Sequence, residues 1–253
     1  NTKLAQKVIK SGNLSRGPYP SPLAKQFSKD FLSFHKGNFG ICVSNGTVAL
    51  SVILKAAGLK YGDEILMPAL TFHSTASAAL ELGIIPNFVD IEKETLCIDP
   101  LKIEKSITNK TKAIVVVHLG AMVANLDALS KICKKNNLIL IEDCAHAHGA
   151  MWKNNGVGTF GDFGFFSFQS SKLINCGEGG FIITKQEDHI KLCLSYINCG
   201  RNSEPYSTLG VNHRLTEVQC AILIDALSEF RNKVSLINAN TNRFTSEISK
   251  ISG

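Results

Sequence analysis

The sequence lacks the features that mark several common structural classes. Its eight cysteines include no C-x-x-C pair, and no group of cysteines and histidines has zinc-finger spacing. No apolar run approaches the roughly 20 residues that a membrane-spanning helix needs, and the N-terminal residues show no signal-peptide hydrophobic region. We therefore expect no metal site, no membrane partner, buried reduced thiols and a cytoplasmic location.

The composition is that of a globular protein. Hydrophobic residues make up 44% of the 253 residues and charged residues 19%, so the chain can bury a large core. Lys and Arg number 27 against 21 Asp and Glu, for a net charge of +6. Because this small excess is spread along the chain, it suits an anionic small molecule as well as a nucleic acid, and we expect no nucleic-acid partner.

Short β-branched runs alternate with segments long enough for helices, which predicts an α/β fold with a mostly parallel central sheet flanked by helices. The predicted strands are 40–44, 64–67, 84–89, 112–118, 138–143, 163–168 and 180–184. The predicted helices include 21–36, 47–59, 74–82, 125–135, 187–199 and 216–230. No G-x-G-x-x-G motif follows the first strand, which argues against a dinucleotide-binding dehydrogenase.

Chemistry-bearing residues follow several of the predicted strands, where open α/β sheets bind ligands. Gly46 and Thr47 open a helix whose free backbone N–H groups suit an anion. Phe72 follows the second strand, Asp143 ends a central strand, and Lys172 follows the next strand. Taken singly, these residues have simpler explanations, such as helix capping for Thr47 or Asp143, a core position for Phe72 and a solvated loop for Lys172.

The combination is more specific than its parts. A lysine can form a Schiff base, and a strand-end aspartate can hold a pyridine nitrogen protonated. A helix N-terminus with nearby hydroxyls, here including Ser167, can bind a phosphate, and an aromatic side chain can pack on a planar ring. Together these groups predict a site for pyridoxal 5'-phosphate.

Motifs along about 200 residues carry a resemblance to a known family. The matching segments are Gly17-Pro18, 44–50, 62–68 with Thr71-Phe72, 141–149, Gly161-Asp162, 166–168 with Lys172, 177–180 and 212–217. The sequence resembles the DegT/StrS family of pyridoxal-phosphate-dependent sugar and aminocyclitol aminotransferases, which have fold type I. The resemblance implies a large cofactor-binding domain of this fold.

The resemblance also implies roles for individual residues around the cofactor ring. Lys172 would be the Schiff-base lysine and the acid–base that moves the substrate proton, and Asp143 would pair with the pyridine nitrogen. His146 stands where family members carry Gln or His beside the ring, and Phe72 would stack on the ring.

Further implied roles concern the phosphate and the substrate. Gly46, Thr47 and Ser167 would bind the phosphate, and Asn212 would reach the phosphate of the neighbouring subunit, which implies a homodimer with shared sites. Arg214 is a weaker candidate for holding a substrate carboxylate.

The implied reaction is ping-pong transfer of an amino group from glutamate or glutamine to a keto-sugar or cyclitol ketone. The Ser167-Phe-Gln169 variant and the segment 177–180 resemble the branch acting on cyclitol ketones and aminohydroxybenzoate precursors, whereas the segment 118–122 departs from the family pattern near the substrate. Two alternatives remain within the family, a cofactor-dependent sugar dehydratase and a non-catalytic regulatory member.

The motifs also suggest a domain division. We interpret residues 1–15 as an N-terminal arm, 16–230 as the cofactor-binding large domain and 231–253 as the start of a small C-terminal domain. Because the chain has no initiator Met and family members continue beyond this point, we expect a fragment truncated at both ends.

Overall fold

The computed structural model describes residues 3–15, 19–201, 206 and 208–251. Gly17 and Pro18, which belong to the family resemblance, lie outside the described residues. Within the described part of the chain, no helix combines the length and the apolar character needed to cross a membrane.

A seven-stranded sheet forms the centre of the molecule, and a two-stranded hairpin lies apart from it. The strands are β1 (Phe39–Val43), β2 (Glu64–Pro68), β3 (Ile85–Val89), β4 (Thr111–Val117), β5 (Ile139–Asp143), β6 (Met151–Trp152), β7 (Asn155–Gly156), β8 (Phe163–Ser167) and β9 (Gly180–Thr184). The sheet order is β1-β9-β8-β5-β4-β2-β3. Among the described strands of this sheet, only the pairs of β9 with β1 and with β8 are antiparallel, which confirms the predicted mostly parallel sheet.

Helices cover both faces of the sheet. They are α1 (Lys3–Ser11), α2 (Pro22–His35), α3 (Gly46–Ala56), α4 (Ser74–Leu80), α5 (Pro100–Ser106), α6 (Leu126–Asn136), α7 (Glu187–Ile197) and α8 (Glu217–Ile248). Successive residues of β4 alternate between two cores, with Ala113 and Val115 in one and Ile114 and Val116 in the other. This double burial explains why the strand is a continuous apolar run.

The structure adds one helix and corrects one prediction at the ends of the chain. The N-terminal arm contains a helix that the sequence did not predict, because α1 forms there and packs Ala5 and Val8 against Ala221 of α8. The last helix does not end near Phe230 but continues to Ile248. Polar residues beyond 230 lowered the apolar content there without breaking the helix, since no Gly or Pro interrupts this stretch.

The cysteines match their predicted character. All eight are free, seven are buried and Cys199 is half-buried. Burial raises the pKa of Cys133 and Cys193 to about 12, so these thiols stay protonated near neutral pH.

A buried histidine makes the fold acid-sensitive. His35 is 1% exposed, its ring packs against Phe31 and Phe166, and neither ring nitrogen has a hydrogen-bond partner among the described residues. Burial lowers the pKa of His35 to about 4, so the folded protein keeps this ring neutral where the unfolded chain protonates it below about 6.5. Stability is therefore lost as pH falls from about 6.5 towards 4.

We expect the lowered pKa of His35 alone to reduce the free energy of unfolding by about 2 kcal/mol when the pH falls from 7 to 5. Urea unfolding of the protein and of His35→Leu at both pH values measures this, and the variant should lose less stability on acidification. The matched control is His73→Leu, which removes an exposed histidine. An equal pH dependence in His35→Leu and the unaltered protein would contradict the assignment.

Candidate active site

A cavity of about 800 Å³ opens at the carboxyl ends of the central strands. It lies beyond β4, β5 and β8 and is closed on one side by the first turn of α3. Among the predicted site residues, those that line it are Gly46, Thr47, Phe72, Asp143, His146, Ser167 and Lys172. The fold thus brings together side chains that are separated by up to about half of the chain.

The first turn of α3 forms the anion-binding end of the cavity. Asn45 caps the helix, and its Oδ1 accepts a hydrogen bond from the Val48 amide at 2.9 Å, whereas the amides of Gly46 and Thr47 precede the first intrahelical bonds. A Cβ on Gly46 would lie 2.9 Å from Ser167 Cβ. Glycine is therefore what allows the helix end to approach Ser167 so closely, and these groups converge as a phosphate cradle would require.

Asp143 is a buried carboxylate at the end of β5. Its oxygens accept hydrogen bonds from the Ala145 amide at 3.1 Å and from Thr75 Oγ1 at 3.2 Å. Burial raises its pKa, and these hydrogen bonds with the charge of Lys172 only partly offset that effect. Within the described part of the chain the carboxylate has no ion pair. The protonated nitrogen of a bound pyridine ring would supply a positive charge that offsets the cost of burying it.

Lys172 and His146 form the part of the cavity next to Asp143. Burial lowers the pKa of Lys172, and the charge of Asp143 offsets part of this change. Burial also lowers the pKa of His146, with a further contribution from the charge of Lys172. Lys172 is therefore neutral for a larger fraction of the time than a solvated lysine is. The neutral amine is the form that attacks a carbonyl carbon.

Phe72 is the aromatic wall of the cavity. Its side chain is 62% exposed, and its ring lies against the ring of His73, with centroids 4.3 Å apart. An aromatic ring left this open at the mouth of a cavity offers a free face to a planar ligand. The Phe72 position therefore fits the stacking role predicted for it.

The whole chain matches a known family. The sequence profile of the DegT/DnrJ/EryC1/StrS aminotransferase family matches residues 1–253. The chain belongs to this family. It is 38% identical over 239 residues to the L-glutamine:2-deoxy-scyllo-inosose aminotransferase of Micromonospora echinospora, an alignment that covers 87% of this chain and 56% of that protein.

Two solved structures share the fold. 3-Amino-5-hydroxybenzoic acid synthase superposes with a TM-score of 0.93 at 29% identity, over 99% of this chain and 66% of that one. NtdA from Bacillus subtilis, solved with bound cofactor PMP, superposes with a TM-score of 0.83 at 31% identity, over 90% of this chain and 52% of that one. The predicted fold type I is thereby confirmed.

The chain is shorter than the proteins it matches. It spans between about half and three fifths of the length of its curated relatives.

Two predicted site residues of the family pattern lie outside the cavity. Asn212 is exposed, and its Oδ1 accepts a hydrogen bond from Arg214 Nε at 3.0 Å. Arg214 also donates to Asn198 Oδ1 at 3.4 Å. Neither side chain lines the cavity of its own chain, so their roles in binding phosphate and carboxylate stay predictions.

A buried network behind the cavity holds the end of β5. Glu142 is fully buried, and its two oxygens accept hydrogen bonds from the amides of Gly158, Phe160 and Gly161 at 2.7–2.8 Å and from His118 Nε2 at 3.1 Å. Nδ1 of His118 accepts the amide hydrogen bond of Ala124 at 3.2 Å, so the proton is on Nε2. Burial raises the pKa of Glu142, but these donors outweigh burial and hold it below its ordinary value.

The same network includes a group of possible metal ligands. Ligand atoms of His118, Glu142 and Cys144 lie within 4.8 Å of one another. The imidazole and carboxylate atoms are already engaged in hydrogen bonds, and burial raises the pKa of the Cys144 thiol well above its ordinary value. We therefore assign these three side chains to supporting the strand end that carries Asp143.

Sequence reasoning gave no individual role to several residues at the site. Thr75 binds Asp143, and Leu119, Gln169, Ser171 and Glu178 line the cavity. Gln169 Oε1 accepts hydrogen bonds from the amide and hydroxyl of Ser171 at 2.8 and 2.6 Å. Gln169 and Glu178 lie in the two segments that resemble the cyclitol branch of the family, but neither side chain was given a role of its own.

Proposed function

We propose that the protein is a pyridoxal-phosphate-dependent aminotransferase that moves an amino group from glutamine to a keto-cyclitol. The observation that carries the proposal is the convergence of Lys172, Asp143 and the open end of α3 on one cavity in a chain of this aminotransferase family. The names of its relatives support glutamine as donor and an inosose as acceptor.

The residues fit the cofactor. The amides of Gly46 and Thr47 with the Ser167 hydroxyl would hold its phosphate, and Phe72 would cover one ring face. Asp143 would hold a proton on the pyridine nitrogen. When bound, pyridoxal phosphate supplies a carbonyl carbon that carries the amino group and a ring that stabilises the adjacent carbanion.

Lys172 would perform the proton transfers. Its amine would hold the cofactor through the cofactor's carbonyl carbon, with loss of water. Once the amine of the donor has taken that place, the freed neutral amine of Lys172 would take a proton from the α-carbon of the donor and later return one to the acceptor. The lowered pKa of Lys172 favours the neutral form. His146, beside Lys172 and Asp143, would contact the ring.

A homodimer is part of the proposal. Asn212 is exposed and does not line the cavity of its own chain, as expected of a residue acting on a neighbouring site. The His213 carbonyl accepts a hydrogen bond from the Ser44 amide at 2.9 Å, which fixes this segment beside the β1–α3 turn.

Isotope transfer tests the function. The purified protein, supplied with pyridoxal phosphate, is incubated with glutamine labelled with ¹⁵N at the α-amino group and with 2-deoxy-scyllo-inosose. We expect an aminocyclitol that carries the label in its mass spectrum. Loss of a ring hydroxyl without nitrogen would instead indicate a dehydratase, and an unchanged ketone would indicate a non-catalytic member.

A further inference from the structure

A buried hydroxyl contacts the carboxylate at the end of β5. Thr75 lies near the start of α4 and is 2% exposed. Its Oγ1 donates a hydrogen bond to Asp143 Oδ2 at 3.2 Å and lies 3.0 Å from Oγ1 of Thr71, a residue that lines the cavity. Two threonine hydroxyls therefore connect the cavity wall to the carboxylate.

The direction of these hydrogen bonds follows from the chemistry of the groups. An ionised carboxylate can only accept hydrogen bonds, so the single hydrogen of the Thr75 hydroxyl points to Asp143. The Thr75 oxygen can then only accept from Thr71, whose hydroxyl is the donor of that pair. A donor aimed at a carboxylate stabilises its charged form more than its neutral form, so this arrangement favours ionised Asp143.

The backbone fixes the turn that carries both hydroxyls. The amides of Thr75 and Ala76 donate to the carbonyls of Phe72 and His73 at 3.1 and 3.0 Å. The segment 71–75 thus holds the aromatic wall of the cavity and the hydroxyl that reaches Asp143 in one turn. Thr75 cannot leave the carboxylate without disturbing the backbone of Phe72.

The carboxylate depends on these donors because it is buried. Burial raises the pKa of Asp143, whereas the Ala145 amide, the Thr75 hydroxyl and the charges of His118 and Lys172 lower it. Without the Thr75 hydroxyl, the Ala145 amide would be the one hydrogen-bond donor left to this carboxylate among the described residues. The ionised form would then be less favourable and less firmly oriented.

We infer that Thr75 is a positioning residue for the cofactor ring, which keeps Asp143 ionised and in one orientation, and that Thr71 sets the direction of the Thr75 hydroxyl. An ionised acceptor stabilises a protonated ring nitrogen more than a neutral carboxyl group does, because charge-assisted hydrogen bonds are the stronger kind. The inference rests on the proposed function, in which Asp143 pairs with the pyridine nitrogen, and adds two residues that act through Asp143.

The test removes the hydroxyl while nearly preserving the shape of the side chain. Spectrophotometric titration with pyridoxal 5'-phosphate should show about tenfold weaker binding in Thr75→Val, since a hydrogen bond to a charged group is lost. Thr75→Ser keeps the hydroxyl and should bind within about threefold of the unaltered protein. The matched control is Thr184→Val, which removes a buried hydroxyl bound to the Asp162 carbonyl outside the cavity and should leave the affinity unchanged.

A cofactor analogue separates positioning from a general loss of structure. In 1-deazapyridoxal 5'-phosphate a carbon replaces the ring nitrogen, so Thr75→Val should weaken its binding by less than about twofold. Should Thr75→Val fail to fold, Thr71→Val should show the same difference between cofactor and analogue at about threefold. Equal losses for the two ligands would overturn the inference. Failure of the proposed function would show separately, as no ¹⁵N transfer from glutamine by an unaltered protein that binds the cofactor.

Discussion

The Lys172→Ala variant is expected to transfer the amino group of glutamine at least about 10⁴-fold more slowly than the unaltered protein. The alanine removes both the amine that attacks the carbonyl carbon and the base that moves the α-proton. Among the described lysines, only this one lines the cavity, so no neighbouring lysine can replace it. Single-turnover measurement of labelled product measures the loss, and the visible absorbance of the bound cofactor should change with it.

Two further variants make the result specific. Lys172→Arg keeps a positive charge but stays protonated at neutral pH, so we expect it to be as inactive as Lys172→Ala. Lys25→Ala, an exposed position on α2, should retain full activity. Substantial transfer by Lys172→Arg would show that the residue acts through its charge alone, and the assigned proton transfers would then be wrong.

The sequence predicted the strand ends well because parallel strands leave strong local signals. Apolar runs such as 113–117 identify buried strands, and a polar residue directly after one, such as Asp143, stands out. Since the topology sends these carboxyl ends to one edge of the sheet, residues far apart in sequence were expected to meet. The cavity then contained Lys172, Asp143 and the α3 turn together.

What the sequence did not reveal depends on tertiary contacts. In the sequence, Glu142 is simply a second acidic residue beside Asp143. Only the folded loop 158–161 shows that its carboxylate accepts hydrogen bonds from backbone amides. Glu178 lies in the matched segment 177–180, but that segment does not show that its backbone carbonyl accepts a hydrogen bond from Gln219, 41 residues away. Helix α1 was also missed, because its stability comes from packing on α8.

Substitution of Glu142 is expected to give the largest loss of stability of any change considered. In Glu142→Gln, an NH₂ group replaces one carboxylate oxygen and faces amides or His118 Nε2, all of which donate. Buried donors are then left without an acceptor, and breaking such a buried charged network costs about 3–5 kcal/mol. The midpoint of urea unfolding measures the loss.

The matched control is Glu104→Gln, which removes an equal charge from the exposed pair with Lys135. Exposed pairs contribute under about 1 kcal/mol, so equal losses in the two variants would contradict the role assigned to Glu142. Should Glu142→Gln fail to fold, His118→Gln removes one donor and leaves the hydrogen bonds from the backbone amides to Glu142 in place. We expect that milder variant to lose about 1–2 kcal/mol.

The pH dependence gives a second check on the same carboxylate. Because hydrogen bonds hold the folded pKa of Glu142 below its ordinary value, its contribution to stability is present above the unfolded pKa and is lost as pH falls through the folded one. Glu142→Gln should therefore lose less stability than the unaltered protein on acidification below about pH 4.5. Since Glu142 adjoins Asp143, the variant should also bind pyridoxal phosphate more weakly where it remains folded, which links the stability of the strand end to the chemistry that it positions.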